Sequence, residues 1–337
     1  MPIIVSEIRI SPDEPKERAF EKALSLLGLR GAQNVSTRLA KISVDARHKD
    51  RVCLVCAVAV GCDDEERIFE RHAAKNISLR KIAPQDIPML KKAPEIRPVI
   101  IGFGPAGMFA GLYLARAGAH PLIFERGAQI DERTAAVEEY WRGGRLRRDA
   151  NVQFGEGGAG TFSDGKLTTR INDPRCDFVL GELERHGAPE EILVKAKPHI
   201  GTDRLRAVVK SIREEIIALG GEVHFLSQVT DIEVKNGRAC SVTVNGAQIG
   251  AENILLAAGH SARDTFAVLR EKGVLMEAKP FSVGARIEHL QEDINRAQYG
   301  GFAENPALWA AEYQLSYKTD GRCAYTFCMC PGGYVVP

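Results

Sequence analysis

The sequence predicts an α/β chain of two unlike blocks, and three observations carry that prediction. The first 93 residues follow the order β-α-β-β-α-β, which is that of a split βαβ, ferredoxin-like α+β domain. A short apolar run, Val99-Ile100-Ile101, passes straight into Gly102-x-Gly104-x-x-Gly107 and an apolar-striped helix, the opening of a Rossmann-like parallel sheet. Farther on, Asn236-Gly237 and Asn245-Gly246 mark an antiparallel meander, after which an apolar strand returns the chain to the sheet at Ala258-Gly259.

In the first block, Ile3 to Ile10 alternates as a strand. Ser11-Pro12-Asp13-Glu14 then supplies an N-cap, a proline at the first helical position and the glutamate of a capping box. Phe20, Ala23, Leu24 and Leu27 fall at i, i+3, i+4 and i+7, and Gly28 closes that helix. Strands over 36–46 and 51–62 are joined by the polar turn His48-Lys49-Asp50, and a helix over 64–74 and a strand over 77–82 complete the set. Pro84, Pro88, Pro94 and Pro98 punctuate a lysine-bearing linker whose end is residues 94–98.

The second block starts at Val99. Gly102 allows a tight turn, Gly104 lets the backbone approach a pyrophosphate, and Gly107 lets helix and strand pack closely, so that the helix points its free N–H groups at phosphates. Met108, Leu112 and Ala115 form the apolar stripe, with Phe109 and Leu114 beside it, and Gly118 stops the helix. The next run, Pro121 to Phe124, ends in Glu125. A carboxylate there accepts from a ribose 2′-OH and repels a 2′-phosphate, which fits NAD or FAD rather than NADP.

Residues 155–170, GEGGAGTFSDGKLTTR, hold Gly155, Gly157, Gly158, Gly160 and Gly165 with Thr161, Ser163 and Thr168 between them. Such a loop suits neither a helix nor a regular strand, and its backbone N–H groups and small hydroxyls can wrap an anion. A helix over 203–218, a strand EVHFLSQV from Glu222, the meander and the strand ending ILLAAGHSARDT follow. A plain NAD domain has no need of the meander, whereas FAD domains carry one.

Composition bounds the function classes. The 337 residues suffice for two domains, and Lys+Arg 45 against Asp+Glu 44 gives a net charge of +1, with no global basic field for nucleic acid or an anionic membrane. No apolar run reaches the length of a membrane span and the N-terminus lacks signal-peptide features, so a cytoplasmic protein is expected. Eight cysteines make no dense disulfide framework. Cys53 and Cys56 read as strand residues rather than a redox C-x-x-C, Cys328 and Cys330 as packing thiols or flavin neighbours, and no metal site is expected.

The fingerprint at 99–127, GEGGAGTFSDGKLTTR, and LLAAGHSARDT followed by KPFSVGARIEH together resemble the bacterial FAD-dependent dehydrogenases, whose FAD domain is similar to that of glutathione reductase. The resemblance spans nearly the whole chain. It implies a Rossmann-like FAD-binding domain over 99–275 with a partial, inserted substrate domain over 276–337, behind an N-terminal domain over 1–93. It further implies that Gly102, Gly104, Pro105, Ala106 and Gly107 hold the pyrophosphate, that Glu125 with Arg126 holds the adenosine ribose, and that Val229 meets the adenine. Gly157, Gly158, Gly160 and Thr161 would approach the flavin side, and Ala258 and Gly259 match the strand end of such proteins. Members of this superfamily return to the FAD domain through a further glycine-rich segment, absent after Gly259, so the chain resembles a C-terminally shortened member.

The expected activity is therefore hydride exchange between FAD and a small-molecule substrate, with NADH or NADPH as donor. An RNA-modifying flavoprotein, or a non-catalytic FAD-fold module, is the alternative. No catalytic residue is assigned, because a flavin carries the hydride itself. Lys166, His199 and His260 are candidates for proton exchange. Arg142, Arg145, Arg147 and Arg148 form a basic cluster that reads either as a solvated face or as a phosphate clamp for a nicotinamide donor or RNA. The oligomeric state is not legible.

Overall fold

A computed structural model of the chain describes residues 2–79, 87–162, 165–167, 171, 173, 175–326 and 329–331. The expectations placed on residues 80–82, Pro84, Ser163, Thr168 and Cys328 lie outside the described residues.

The first block folds as β1 (Ile3–Ile10), α1 (Glu17–Leu26), β2 (Ser36–Asp45), β3 (Cys53–Gly61), α2 (Glu65–Arg71) and β4 (Ile77–Leu79). Its sheet has the order β2-β3-β1-β4 with every neighbouring pair antiparallel. Leu54, Cys56, Val58 and Val60 of β3 bury one face with Ala19, Ala23 and Leu27 of the helical layer. β1 does not keep one alternation. It buries Ile3 and Val5, then Ile8 and Ile10, and a bulge between Val5 and Ile8, with Glu7 at φ +60, absorbs the change of phase.

The start of α1 corrects the capping-box expectation. The Ser11 amide does donate to Glu14 Oε2 at 2.7 Å, but the helix begins only at Glu17. Pro15 disfavours a helical conformation at Glu14, so the box closes a separate turn ahead of the helix.

The second block runs through β5 (Val99–Ile101), α3 (Pro105–Arg116), β6 (Leu122–Phe124), α4 (Ile130–Trp141), α5 (Arg175–Arg185), α6 (Thr202–Ala218) and β7 (Glu222–His224). The meander β8 (Val229–Lys235), β9 (Arg238–Val244) and β10 (Ala247–Gly250) precedes β11 (Ile254–Leu256) and α7 (Arg263–Glu271). β11-β5-β6-β7 form a parallel sheet. Ile100 and Ile123 point to one face, under Leu112 of α3 and Ile212 and Ile216 of α6. Val99, Ile101 and Phe124 point to the other, against Val229, Val242 and Val244 of the meander. Burial on both faces explains why these strands read as unbroken apolar runs.

The chain leaves β5 in one direction, through β6 to β7, and returns on its other side as β11. That reversal opens a crevice at the carboxyl ends of β5 and β11, the place where open α/β sheets hold ligands.

Three expectations change. The strand predicted from Glu222 to Val229 is two strands in two sheets: Leu226, at φ +50, turns the chain, its amide donating to Gly127 O at 3.0 Å. The glycine loop contains a 3₁₀ turn, Ala159–Phe162. KPFSVGARIEH has no regular structure, and Phe281, Val283 and Ile287 are exposed. Both Asn-Gly turns hold, with Asn236, Gly237, Asn245 and Gly246 all at positive φ as a type I′ turn requires.

Beyond α7 come α8 (Gln291–Tyr299) and the hairpin β12 (Ser316–Thr319) and β13 (Arg322–Tyr325). The first block grips the second at several places, among them a buried cluster of Val52 with Tyr299 and Ala311. Residues 194–196 pair with the β2 edge, the Ile42 amide donating to Val194 O at 2.7 Å and the Ala196 amide to Ile42 O at 3.0 Å. Leu308 and Trp309 pack on the core of the first block. Among the described residues no helix is long and apolar enough to cross a membrane.

Candidate cofactor site

The crevice is shaped by positions that exclude a Cβ. On Gly102, at φ +103, a Cβ would lie 2.4 Å from Ala257 O, and on Gly107 it would lie 1.9 Å from Gly102 O. α3 starts at Pro105, whose missing N–H costs nothing at the first helical position. The Ala106 and Gly107 amides that follow it have no acceptor inside the helix, and they carry the positive end of its dipole to the crevice.

The glycine loop lies directly on this turn. Gly158, at φ +67, is so close that a Cβ on it would meet Gly104 Cα at 3.0 Å and Pro105 Cδ at 3.2 Å. The Gly157 amide donates to Phe103 O at 2.9 Å. Two segments 54 residues apart thus meet backbone to backbone.

Glu125 joins them. Its carboxylate, 5% exposed, takes the Phe103 amide on Oε2 at 2.8 Å, and the Gly127 and Gly155 amides on Oε1 at 2.8 and 2.9 Å. Beyond the ribose role expected of a strand-end carboxylate, Glu125 ties the fingerprint turn to the glycine loop. A carboxylate offers about four acceptor positions, so one on Oε2 remains for a ribose hydroxyl.

Arg126 stands over the Phe154 ring at 4.5 Å and donates to Asp264 Oδ1 at 3.0 Å and Thr265 Oγ1 at 3.2 Å. Asp264 Oδ2 also accepts from Gln228 Nε2 at 2.6 Å. Phe154 lies beside the glycine loop, interleaved with its glycines as Phe162 is, whereas sequence reasoning missed Gln228 and Asp264. No local signal joins them, because they come from two separate segments that meet only through the sheet.

Beneath the loop lies a buried charged layer. Arg133 is fully buried, donates to Asn151 O at 3.1 Å and Glu156 O at 2.6 Å, and stands 4.8 Å from the Phe162 ring centroid. Burial draws its pKa down to about 10 against the opposing pull of Glu125 and Glu156. Glu156 is also fully buried; it accepts the Ile130 amide at 2.7 Å, and burial pushes its carboxyl up. Arg213 Nε lies 3.2 Å from Glu156 Oε1, an ion pair without hydrogen-bond alignment. These atoms are sealed from solvent and so touch no ligand in the crevice. The layer supports the loop. Thr161 belongs to it, fully buried with its hydroxyl donating to Glu156 O at 3.2 Å.

At the far end of the loop, Lys166 and His199 face each other in an antiparallel bridge flanked by Leu167 N–H to Pro198 O at 3.0 Å and Ile200 N–H to Gly165 O at 3.2 Å. That pattern makes them a non-hydrogen-bonded pair, whose side chains stand close on one face. Glu312, from beyond α8, reaches them: Oε1 lies 3.2 Å from His199 Nε2, and Oε2 accepts from Lys197 Nζ at 3.0 Å. Burial would raise the Glu312 carboxyl, but the bonds from His199 and Lys197 outweigh it and hold the pKa at about 2. The structure therefore unites Lys166 with His199 and adds Glu312, which carried no motif.

Val229 is buried in β8, and Ala258 and Gly259 follow β11 at the crevice mouth. His260 is exposed beside Ser261, with its Nε2 3.3 Å from the hydroxyl. In the basic cluster, Arg142 pairs with Glu138 at 3.3 Å and Arg147 with Glu139 at 3.2 Å, while the whole cluster is exposed. Cys330 is exposed, which removes it from the packing thiols. Among the described residues no group of three or more His, Cys, Asp or Glu could hold a metal ion.

The chain is similar to several known proteins. A model of FAD-dependent protein C-terminal domains matches residues 280–337. A protein of Clostridium beijerinckii described as uncharacterised is 47% identical over 341 residues, covering 100% of this chain. The chain spans 64% of that relative's length. Among solved structures, THI4 of Thermovibrio ammonificans is 20% identical with a TM-score of 0.37, over 53% of this chain and 62% of its own. Glycine oxidase from Geobacillus kaustophilus is 13% identical with a TM-score of 0.34, over 51% and 57%. The pyridine nucleotide-disulphide oxidoreductase model matches residues 96–282, more than half of the chain and the whole stretch that builds the crevice. With parallel sheet, glycine fingerprint and strand-end glutamate all inside that match, the chain belongs to the pyridine nucleotide-disulphide oxidoreductase family, with FAD as its cofactor.

Proposed function

We propose that this protein is an FAD-dependent oxidoreductase acting on a small-molecule substrate, with NADH or NADPH as electron donor. The observation that carries the reading is the Gly104–Gly158 backbone contact locked by Glu125, because it places two glycine segments and one remaining carboxylate acceptor around the N-terminus of α3. The residues present fit the cofactor. Gly102, Gly104 and Gly107 keep the crevice free of side chains, the Ala106 and Gly107 amides suit a pyrophosphate, and Glu125 suits a ribose. Arg126, braced by Asp264, would border the adenosine, with the Val229 backbone on the adenine. Gly157, Gly158 and Gly160 would lie along the flavin half, and Ala258 and Gly259 across from them.

When bound, FAD supplies the acceptor and donor of a hydride. The chain supplies the fixed amides of α3 and, at the Lys166–His199 bridge, groups able to exchange a proton. We assign residues 1–93 to a ferredoxin-like domain, supported by the β2-β3-β1-β4 order, 94–98 to the linker end, 99–275 to the FAD domain and 276–337 to a partial substrate domain. Its place is the cytoplasm.

The test is anaerobic addition of NADH or NADPH to the purified, flavin-loaded protein. Bleaching of the flavin absorbance by either donor supports the reading. A bound flavin that neither donor reduces refutes the assignment of donor, and a protein that takes up no flavin refutes the whole.

A further inference from the structure

We propose that Lys166, Lys197 and His199, organised around Glu312, form the recognition site for a carboxylate group of the substrate. This rests on the flavoprotein reading above and names its substrate class.

Lys166 and His199 share one face of the bridge, and Lys197, two residues before His199, reaches the same carboxylate, its Nζ 3.0 Å from Glu312 Oε2. Three basic side chains thus converge on one carboxylate. Both Glu312 oxygens are engaged, one by His199 and the other by Lys197, and Lys166 acts on it only through its field. Among the described residues Lys166 has no hydrogen bond or ion pair. Lys166 and Lys197 carry two positive charges against the one negative charge of Glu312.

A monoanion brings such a site to neutrality. A dianionic phosphate overshoots it and meets repulsion from Glu312, so the charge balance favours a carboxylate. The Glu312 side chain is only 15% exposed, so the charges act through a medium less screening than water. Position completes the case, since the bridge closes the glycine loop whose other end touches the fingerprint turn. The first block fixes the arrangement: it pairs with 194–196 just before Lys197, and packs on Leu308 and Trp309 just before Glu312.

Pyruvate and benzoate are the carboxylate probes, inorganic phosphate the competing oxyanion, each titrated into the 337-residue chain by calorimetry, with flavin content measured separately. Pyruvate or benzoate should bind the wild type, and Lys166→Met should weaken that binding at least about tenfold, the scale of one charge-assisted hydrogen bond. Lys166→Arg should keep most of it, and Lys272→Met, on α7, should change nothing. Flavin content should be the same in all of them.

Equal binding by wild type and Lys166→Met, or no binding of either carboxylate, overturns the proposal. Phosphate binding more tightly than both overturns its ligand class. Lys166-dependent binding in a protein without flavin keeps the carboxylate site and removes the flavoprotein reading.

Discussion

Glu125 shows how one side chain can serve a fold and a ligand together. Replacing it with alanine leaves the Phe103, Gly127 and Gly155 amides without their acceptor, and at roughly 1–3 kcal/mol for each buried group the Glu125→Ala protein should lose about 3 kcal/mol or more of stability. Denaturant midpoints measure this; an unchanged midpoint would show that the carboxylate has no hold on the loop. Gly158→Val places a branched side chain at φ +67 and against Gly104 Cα, so flavin content should fall even where circular dichroism reports a folded chain. Glu312 gives a pH signature. Its carboxyl is held at about 2 against an ordinary 4.5, so its stabilising contribution is complete above 4.5 and lost as pH falls toward 2. The stability gap between wild type and Glu312→Gln should therefore close over that interval, and a gap constant across it contradicts the pairing. At this scale the sequence made the glycines and Glu125 legible, since each answers a local steric or spacing demand. Gln228, Asp264 and Glu312 answered none, because their partners are far away in the chain.

Elements were legible where a single face or a single turn decided them. The strand Val99–Ile101, the helix after it and both Asn-Gly turns follow from burial on both faces and from positive φ at fixed positions. Glu222 to Val229 was not, because its apolar run continues through the residue where the backbone leaves one sheet for another, and only the hydrogen bonds of Leu226 and Ser227 to the Glu125–Gly127 segment mark the break. α3, the helix that aims its amides at the crevice, is anchored at its other end. Arg116 donates to both oxygens of Glu182, at 2.7 and 2.6 Å, and to Glu215 at 2.7 Å, and His186 Nε2 lies 2.9 Å from the second Glu215 oxygen. Arg116→Met takes the bidentate partner from the largely buried Glu182 and one of two hydrogen-bond partners from Glu215, and should cost about 3 kcal/mol. Thermal melts of wild type and variant check that magnitude, and a cost under 1 kcal/mol would place the anchor of α3 elsewhere.

The whole molecule is a parallel sheet with helices on one face and a meander on the other, and a second sheet that braces the segments bearing His199 and Glu312. Its central claim is that the crevice between β5 and β11 holds FAD by its adenosine diphosphate half. That half is what the α3 amides and Glu125 recognise, and FMN lacks it. Titration of flavin-free protein with FAD and with FMN, followed by quenching of flavin fluorescence, tests this most directly. The account predicts one FAD per chain and no measurable FMN binding, and equal affinity for both, or affinity for neither, would contradict it.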